Sequence, residues 1–132
     1  MIAQTGNTGK DRLAEKFENW QGKNRVLVLY APAANHPEYI KQLRMLESRK
    51  EDFADRDLVQ IALTDGEADA ESRSFLEKKL GARRGEFNLI LVGKDGGVKY
   101  RSQQATEAAE IFSTIDAMPM RQNEMRRQGR QE

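Results

Sequence analysis

The chain has 132 residues, which is the size of one ordinary domain. Lysine and arginine (22) nearly balance aspartate and glutamate (21), so the formal net charge of +1 provides no overall attraction to nucleic acids or acidic membranes. The chain has no cysteine, which excludes disulfides, thiol catalysis and thiolate metal sites, and its single histidine excludes a histidine-rich metal site.

The N-terminal part predicts a short polar lead followed by a helix. Residues 1–10 are mostly small and polar, which is typical of a flexible segment. From residue 11 onward, Leu13, Phe17 and Trp20 fall on one helical face. Because a large aromatic side chain contributes most through burial, Trp20 is predicted to fill the core at the helix end, with ligand stacking as the alternative.

A continuous apolar run at residues 25–31 predicts a buried central strand, and Pro32 ends it because proline cannot donate to a strand ladder. The loop that follows leads into a helix in which Pro37 suits the first turn and either Asn35 or His36 suits the cap. An apolar helical stripe then predicts a helix that continues to about residue 52 or 54.

Residues 58–63, which are apolar apart from Gln60, predict the next strand. A strand, a helix and a second strand make a right-handed crossover, so the two strands are predicted to be parallel. The spacing of the acidic residues that follow resembles the start of a calcium loop, but the positions that need glycine and glutamate hold Ala70 and Leu76. The acids are therefore predicted to favour a helix N-terminus through its dipole. They are Asp65, Glu67, Asp69 and Glu71.

The stretch at residues 87–101 organises the predicted sheet. Residues 89–92 are an unbroken apolar run, which indicates a strand buried on both faces. Residues 95–97, Asp-Gly-Gly, tolerate the positive φ angles that a hairpin turn needs. Residues 98–101 then alternate apolar and polar side chains, which predicts an edge strand with one wet face.

Thr106 is predicted to cap the last helix, and Pro119 breaks or kinks its pattern. After Pro119 the chain holds four arginines and few apolar residues, which predicts one or two further helical turns and a frayed end. The predicted division is a lead at residues 1–10, a single domain at residues 11–120 and a basic tail at residues 121–132. The apolar stripe of the last helix consists of Ala108, Ile111, Phe112, Ile115 and Met118.

The elements predict an α/β domain with a four-stranded mixed sheet flanked by helices, in an order that is similar to thioredoxin. We matched the strand at residues 26–31 to the strand before thioredoxin's active site. The positions of its two reactive cysteines then fall within residues 34–37, and the position of its cis-proline falls at about Phe87. The redox cysteines and that proline are absent, so the resemblance implies a thioredoxin-like domain that is not a thiol-disulfide oxidoreductase.

Several segments resemble a bacterial domain-of-unknown-function family, numbered 4174, with thioredoxin-like architecture and relatives in sushi-repeat and other extracellular matrix proteins of animals. The family has no assigned activity, so the resemblance implies no catalytic residue and no cofactor. Its bacterial members often look exported, which implies a periplasmic or secreted protein if a signal peptide has been removed, and a cytoplasmic one otherwise. The matching segments are residues 29–32 with Gln42, residues 56–59, residues 93–99, residues 115–121 and residues 124–125.

Two groups of residues are candidates for a site with chemistry. His36 and Asp65 follow the ends of two neighbouring predicted strands, and an enzyme of unassigned class could use them with a nearby lysine or arginine. The alternative for His36 is a helix cap. Lys94, Lys99 and Arg101 flank the hairpin, where they could bind an anion or a polysaccharide, or protect the edge strand from aggregation.

A third candidate is the junction of Met118, Met120 and Arg121, because flexible methionine side chains suit adaptable contact surfaces. The favoured hypothesis is a non-enzymatic module that binds an unknown protein partner or a second copy of itself, as a monomer or weak homodimer. The arginines of the tail have no aromatic neighbours, so nucleic acid is not the expected partner. The chain also has no apolar run of the roughly 20 residues that a membrane span needs.

Overall fold

The computed structural model describes residues 12–131, with side chains to residue 129. The predicted lead at residues 1–10 lies outside the described residues. The helices and strands are α1 Leu13–Trp20, β1 Arg25–Ala31, α2 Pro37–Leu46, α3 Lys50–Asp55, β2 Leu58–Thr64, α4 Ala70–Ser74 with a π-helical turn at Phe75–Lys79, β3 Asn88–Val92, β4 Val98–Ser102, α5 Ala108–Asp116 and α6 Pro119–Gln131.

The four strands form one mixed sheet in the order β2-β1-β3-β4. β1 and β2 are parallel and pair from Arg25 opposite Leu58 to Ala31 opposite Thr64. β3 is antiparallel to β1, and β4 is antiparallel to β3. The helical crossover makes the first pair parallel and the short turn makes the last pair antiparallel, so the predicted thioredoxin-like mixed sheet is confirmed.

Helices cover both faces of the sheet, which is why every residue of β1 and β3 is buried. Successive side chains of a strand point to opposite faces, so each inner strand contributes to two apolar clusters. Leu27 and Leu29 of β1 pack with α2 and α5 on one face. Val26 and Val28 pack with α1 and Leu76 of the π-helical turn on the other.

The stretch predicted as one helix to residue 52 or 54 is two helices, α2 and α3. Leu46 is buried at the end of α2, but residues 47–49 are polar and exposed, so they provide nothing that packs on the sheet. The chain turns there, with the Glu47 N–H donating to the Arg44 carbonyl at 3.4 Å. Phe53 of α3 then brings an apolar side chain back against the core.

The predicted cap at Thr106 is wrong, because Glu107 occupies the position before α5. Thr106 is buried instead, and its backbone is held by Gln42 of α2. The Thr106 N–H donates to the Gln42 side-chain oxygen at 2.7 Å, and the Gln42 amide nitrogen donates to the Thr106 carbonyl at 2.9 Å. Gln42 is 0% exposed, so this reciprocal pair satisfies a polar group that would be costly to bury alone.

The sequence predicts one or two helical turns and a frayed end in the basic tail at residues 121–132, whereas the structure has α6, a helix of 13 residues. Pro119 lies in its first turn, where the missing N–H of proline costs nothing, so it begins a new helix after α5 ends at Asp116. No helix among residues 12–131 has the length and the apolar content that crossing a bilayer requires.

Candidate functional site

His36 serves as the cap of α2. Its Nδ1 accepts a hydrogen bond from the Glu38 N–H at 3.2 Å, and this satisfies one of the unpaired donors in the first turn of the helix. Its ring also lies 6.3 Å from the ring of Phe87, which occupies the place matched to thioredoxin's cis-proline. The helix-cap alternative for His36 therefore accounts for its contacts.

Asp65 follows β2, and its backbone N–H donates to the Ala31 carbonyl at 3.1 Å. Its carboxylate accepts a hydrogen bond from the Tyr30 hydroxyl. Burial of Tyr30, together with this carboxylate, raises the pKa of the phenol well above its usual value. Asp65 and His36 thus have different partners, and among residues 12–131 no hydrogen bond joins them.

The three cations of the hairpin do not converge on one site. The Lys94 ammonium lies 2.9 Å from Asp57 and 2.7 Å from Glu124. Lys99 pairs with Asp95 at 2.8 Å across the turn. Arg101 donates from Nε to the Leu80 carbonyl at 3.0 Å, on the face of β4 that lies over the π-helical turn.

The predicted contact surface at Met118, Met120 and Arg121 is divided between core and solvent. Met118 packs against the cluster between the sheet and α5. Met120 is 47% exposed, and among residues 12–129 no other large apolar side chain is classed as exposed. Arg121 is only 2% exposed, so it is not available to a partner while α6 is in place.

The burial of Arg121 belongs to a network of charges that holds α6 on the end of the sheet. On one side of the network, the Arg25 guanidinium forms two hydrogen bonds with the Glu124 carboxylate, at 3.1 and 3.2 Å. Glu124 also accepts from Lys94, which bridges to Asp57. Arg25 is 1% exposed, and its Nε is buried without a hydrogen-bond partner among the described residues.

The other side of the network joins α6 to α5 and to the end of α3. Arg121 donates to Asp116 at 2.9 Å and to the Asp55 carboxylate at 2.8 Å. Arg56 forms two hydrogen bonds with Asp116, at 2.9 and 3.1 Å, and its guanidinium lies 4.6 Å from the centre of the Phe112 ring. Two-point contacts between a guanidinium and a carboxylate fix orientation as well as distance.

The acids of this network are held in their charged form. Burial alone raises the pKa of Glu124, but hydrogen bonds from Arg25 and Lys94 outweigh that effect and lower it below its usual value. Burial also opposes ionisation of Asp116, and hydrogen bonds from Arg56 and Arg121 likewise lower its pKa. Each charged side chain of the network has a partner of opposite sign, and together these ion pairs attach α6 to the rest of the domain.

A second feature is the outer edge of β2, which is the side of the strand that faces away from β1. The Arg25 N–H donates to the Asp57 carbonyl, and the Asp65 N–H donates to the Ala31 carbonyl. Because ladder contacts alternate along a strand, the odd-numbered residues from 57 to 65 bond to β1. The even-numbered residues therefore direct their peptide groups away from the sheet, and these are Leu58, Gln60, Ala62 and Thr64.

One of these outward groups already has a partner, since the Thr64 N–H donates to the Glu67 side chain at 2.9 Å. Among residues 12–131, the outward peptide groups of Leu58, Gln60 and Ala62 have none. A cleft of about 330 Å³ lies beside them. It is lined by Lys16, Asn19, Trp20, Gln60 and Ile61.

Trp20 gives this cleft its apolar wall. It packs edge-on against Phe17 at 5.5 Å, and Phe17 packs against Phe75 at 5.0 Å, so the ring is held in place by an aromatic row. From the sequence, Trp20 is predicted to fill the core, and the edge of β2 is not predicted. The available signal was the composition of residues 58–64, which contain no charged side chain.

Solved structures with a similar fold include the reduced 2-Cys peroxiredoxin of Plasmodium vivax, which is 13% identical over 80% of this chain and 83% of that chain, with a TM-score of 0.61. A cysteine-to-serine mutant of peroxiredoxin 6 from Arenicola marina is 18% identical over 76% of this chain and 64% of that one, with a TM-score of 0.56. At these identities the similarity concerns the fold alone, and this chain has no cysteine. Among curated proteins, none has a sequence that matches this chain.

The family described as Domain of unknown function (DUF4174) matches residues 16–124. That range begins in α1 and ends at Glu124, so it includes the whole sheet and all the charged residues of the network around α6. Four of the segments that resemble the family in sequence contribute charged residues to that network. They are residues 56–59, 93–99, 115–121 and 124–125. The chain therefore belongs to the DUF4174 family, a domain of unknown function with a thioredoxin-like fold.

Proposed function

We propose that this chain is a non-redox thioredoxin-like module that binds another polypeptide by strand addition along β2. The observation that carries the proposal is the outer edge of β2, where the peptide groups of Leu58, Gln60 and Ala62 have no outward partner among residues 12–131. A segment that adds to a strand edge gains main-chain hydrogen bonds, and pockets beside the edge select its alternate side chains.

The cleft beside β2 supplies such a pocket. Trp20 and Ile61 form apolar walls, and the cleft lies on the face of the sheet that α1 covers. In an added strand every second side chain points towards that face. The bound segment is therefore an extended one with an apolar side chain at the position opposite Ile61.

The other edge of the sheet supports this choice of β2. β4 carries Lys99 and Arg101, and its pairing with β3 has a register irregularity at Leu91 and Val92. Charged side chains and bulges are the devices by which proteins prevent unwanted strand addition. β2, Leu58–Thr64, carries no charged residue and pairs with β1 without a break in register.

The contacts of the other candidate residues favour a binding module over an enzyme. His36 is engaged as a helix cap and Asp65 as the acceptor for Tyr30, so neither is placed beside the other as an acid-base pair. Lys94, Lys99 and Arg101 each contact a different group within the chain, which weighs against a joint anion site.

Selection from random seven-residue peptides displayed on phage, with the purified full chain as bait, tests the proposal. Selected peptides should alternate apolar and polar residues. The Ala62→Pro variant removes an outward N–H without removing a hydrogen bond to β1, and it should bind a selected synthetic peptide at least about tenfold more weakly. Ala62→Ser keeps that N–H and is the matched control.

Unchanged affinity in Ala62→Pro would overturn the proposal, provided that circular dichroism shows that the variant is folded. A selection that yields no peptide above the level of an empty surface would overturn it as well. Equal weakening in Ala62→Ser would attribute the loss to the side chain rather than to the edge of the strand, and would also contradict strand addition.

A further inference from the structure

The edge of β2 is self-complementary. We propose that the segment it binds is β2 of a second copy of this chain, so that two chains form one continuous eight-stranded sheet about a two-fold axis through Gln60. The inference rests on the proposed strand-addition site and names its occupant. A two-fold axis perpendicular to the sheet makes the two β2 strands antiparallel, and the same residues then meet from both sides.

An axis at Gln60 pairs the three unpartnered outward peptide groups with one another. It places Gln60 opposite Gln60 of the second copy, and Leu58 opposite Ala62 on either side. Each opposed pair exchanges two main-chain hydrogen bonds, which gives about six across the seam. Thr64, whose N–H is already engaged by Glu67, lies beyond the end of this ladder and is not needed.

The same register fills the cleft beside Trp20. It places Val59 of the second copy opposite Ile61, and both side chains point to the face that α1 covers. Ile61 lines the cleft, so Val59 of the second copy enters it against Trp20. By symmetry the second cleft receives the first copy's Val59, and each of these half-buried side chains gains an apolar partner.

Charge explains why a copy of this chain can occupy the edge. A contact about a two-fold axis brings each residue near its own duplicate, so any charge at the axis repels itself. β2 has no charged residue, and the residue at the axis is an amide, which can both donate to and accept from its duplicate. The same contact through β4, with its axis at Tyr100, would place Lys99 opposite Arg101 of the second copy, and these two side chains carry charges of the same sign.

Sedimentation velocity of the full chain over about a hundredfold concentration range tests the inference. The wild-type chain should shift from monomer to dimer. Gln60→Lys places two ammonium groups at the axis and should raise the dimer dissociation constant at least about tenfold. Gln128→Lys adds the same charge at an exposed position of α6 and should leave the constant unchanged. A mixture of Gln60→Lys and Gln60→Glu should restore the dimer as a heterodimer.

Two further measurements locate the contact. Opposed residues of this kind have Cα atoms about 5.5 Å apart, which suits a disulfide, so Gln60→Cys should form a cross-linked dimer on oxidation. The chain has no other cysteine, and Gln128→Cys is the control. Trp20 is the single tryptophan, so its fluorescence should shift to longer wavelength when the dimer is diluted apart.

A dimer whose dissociation constant is the same in Gln60→Lys as in wild type would place the contact elsewhere and overturn the inference. A chain that stays monomeric at every concentration would overturn it too. In that case, binding of selected peptides that is lost in Ala62→Pro would leave the proposed function standing, with a different polypeptide as the occupant of β2. Loss of both results would end both proposals.

Discussion

The two helices at the C-terminal end, α5 and α6, are attached to the same domain by different physical means. α5 buries an apolar stripe that includes Ile111, Phe112 and Ile115 against the sheet. α6 is held through Arg121 and Glu124, which bind charged groups from four other parts of the chain. Apolar attachment needs only area removed from water, whereas ionic attachment needs every buried charge to keep its partner.

This difference predicts how mutations in each helix should affect the stability of the domain. Removing part of an apolar stripe leaves a cavity, and the cost depends on the volume that is lost. Removing one member of a buried ion pair leaves the other charge without compensation, although replacing both members together is often nearly neutral. The predictions below test this contrast, from the largest expected effect to the smallest.

Truncation of Phe112 should have the largest effect. Phe112→Ala removes a ring that packs edge-on against Phe53 at 5.9 Å and supports the Arg56 guanidinium. The expected loss in the free energy of unfolding is about 3 to 5 kcal/mol, which is a large part of the total of about 5 to 15 kcal/mol for a domain. Urea denaturation measures it. The exposed neighbour Ser113→Ala is the control, and a loss below about 1 kcal/mol in Phe112→Ala would contradict the apolar account.

Neutralising Glu124 should have the next largest effect. Glu124→Gln leaves the buried Arg25 without its carboxylate, while Lys94 keeps Asp57. Because the Glu124 side chain is 17% exposed, some water compensates Arg25, and the expected loss is about 2 to 3 kcal/mol. Urea denaturation again measures it, with the exposed Glu18→Gln as control. The double variant Arg25→Met with Glu124→Met should lose less than the single one, and a larger loss would contradict the ionic account.

The pH dependence of stability should distinguish the ionic attachment of α6 from the apolar attachment of α5 more clearly than a denaturation curve at one pH. The pKa values of Glu124 and Asp116 are lower in the folded chain than their usual values. Such carboxylates stabilise the fold above the pKa of the unfolded chain, about 4, and this contribution is lost as the pH falls through the lower folded value. Stability measured from neutral pH down to about pH 3 should therefore fall, and fall less steeply in Glu124→Gln.

The matched comparison is Phe112→Ala, which should be less stable than wild type at every pH but should keep the wild-type slope. Part of the slope should remain in Glu124→Gln. A hydrogen bond from Lys99 lowers the pKa of Asp95, and one from the Ser72 backbone lowers that of Asp69. A slope in Glu124→Gln as steep as that of wild type would show that the network around α6 is not the acid-sensitive part.

Deletion of the last five residues should have the smallest effect. Gln128 and Gly129 are exposed, and they lie beyond Arg121 and Glu124. The expected change in the free energy of unfolding is within about 0.5 kcal/mol, the usual range for surface changes. Thermal unfolding followed by circular dichroism measures it. A loss as large as that of Glu124→Gln would mean that the attachment of α6 extends to its end.

Apolar periodicity made α5 and the sheet predictable from the sequence. Ile111, Phe112 and Ile115 recur with the helical period, and residues 89–92 form a run long enough for one buried strand. The role of α6 could not be predicted in this way. Its buried residues are charged, so its composition is that of a solvated helix, and the partners of Arg121 and Glu124 come from distant parts of the sequence.

The sequence does not predict that β2 is an edge strand, for a related reason. β4 was predicted as an edge strand because one of its faces is wet, so its apolar and polar residues alternate. β2 has apolar residues on both faces and only Gln60 among residues 58–63 is polar, so its sequence resembles that of an inner strand. Its edge is set by strand order, which face patterns do not contain. Among the candidate residues, the sequence could name His36 as a cap because proline and a polar residue mark helix starts.

The pair of Arg25 and Glu124 also sets an order of events during synthesis, because 99 residues separate its members. A chain is made from its N-terminus, so all four strands are complete while Glu124 is still inside the ribosome. Until it emerges, Arg25 lacks its carboxylate, so we expect its guanidinium to stay hydrated at that end of the sheet. We expect nascent chains arrested with Glu124 still in the exit tunnel to be cut readily by protease, and chains with α6 fully emerged to resist it.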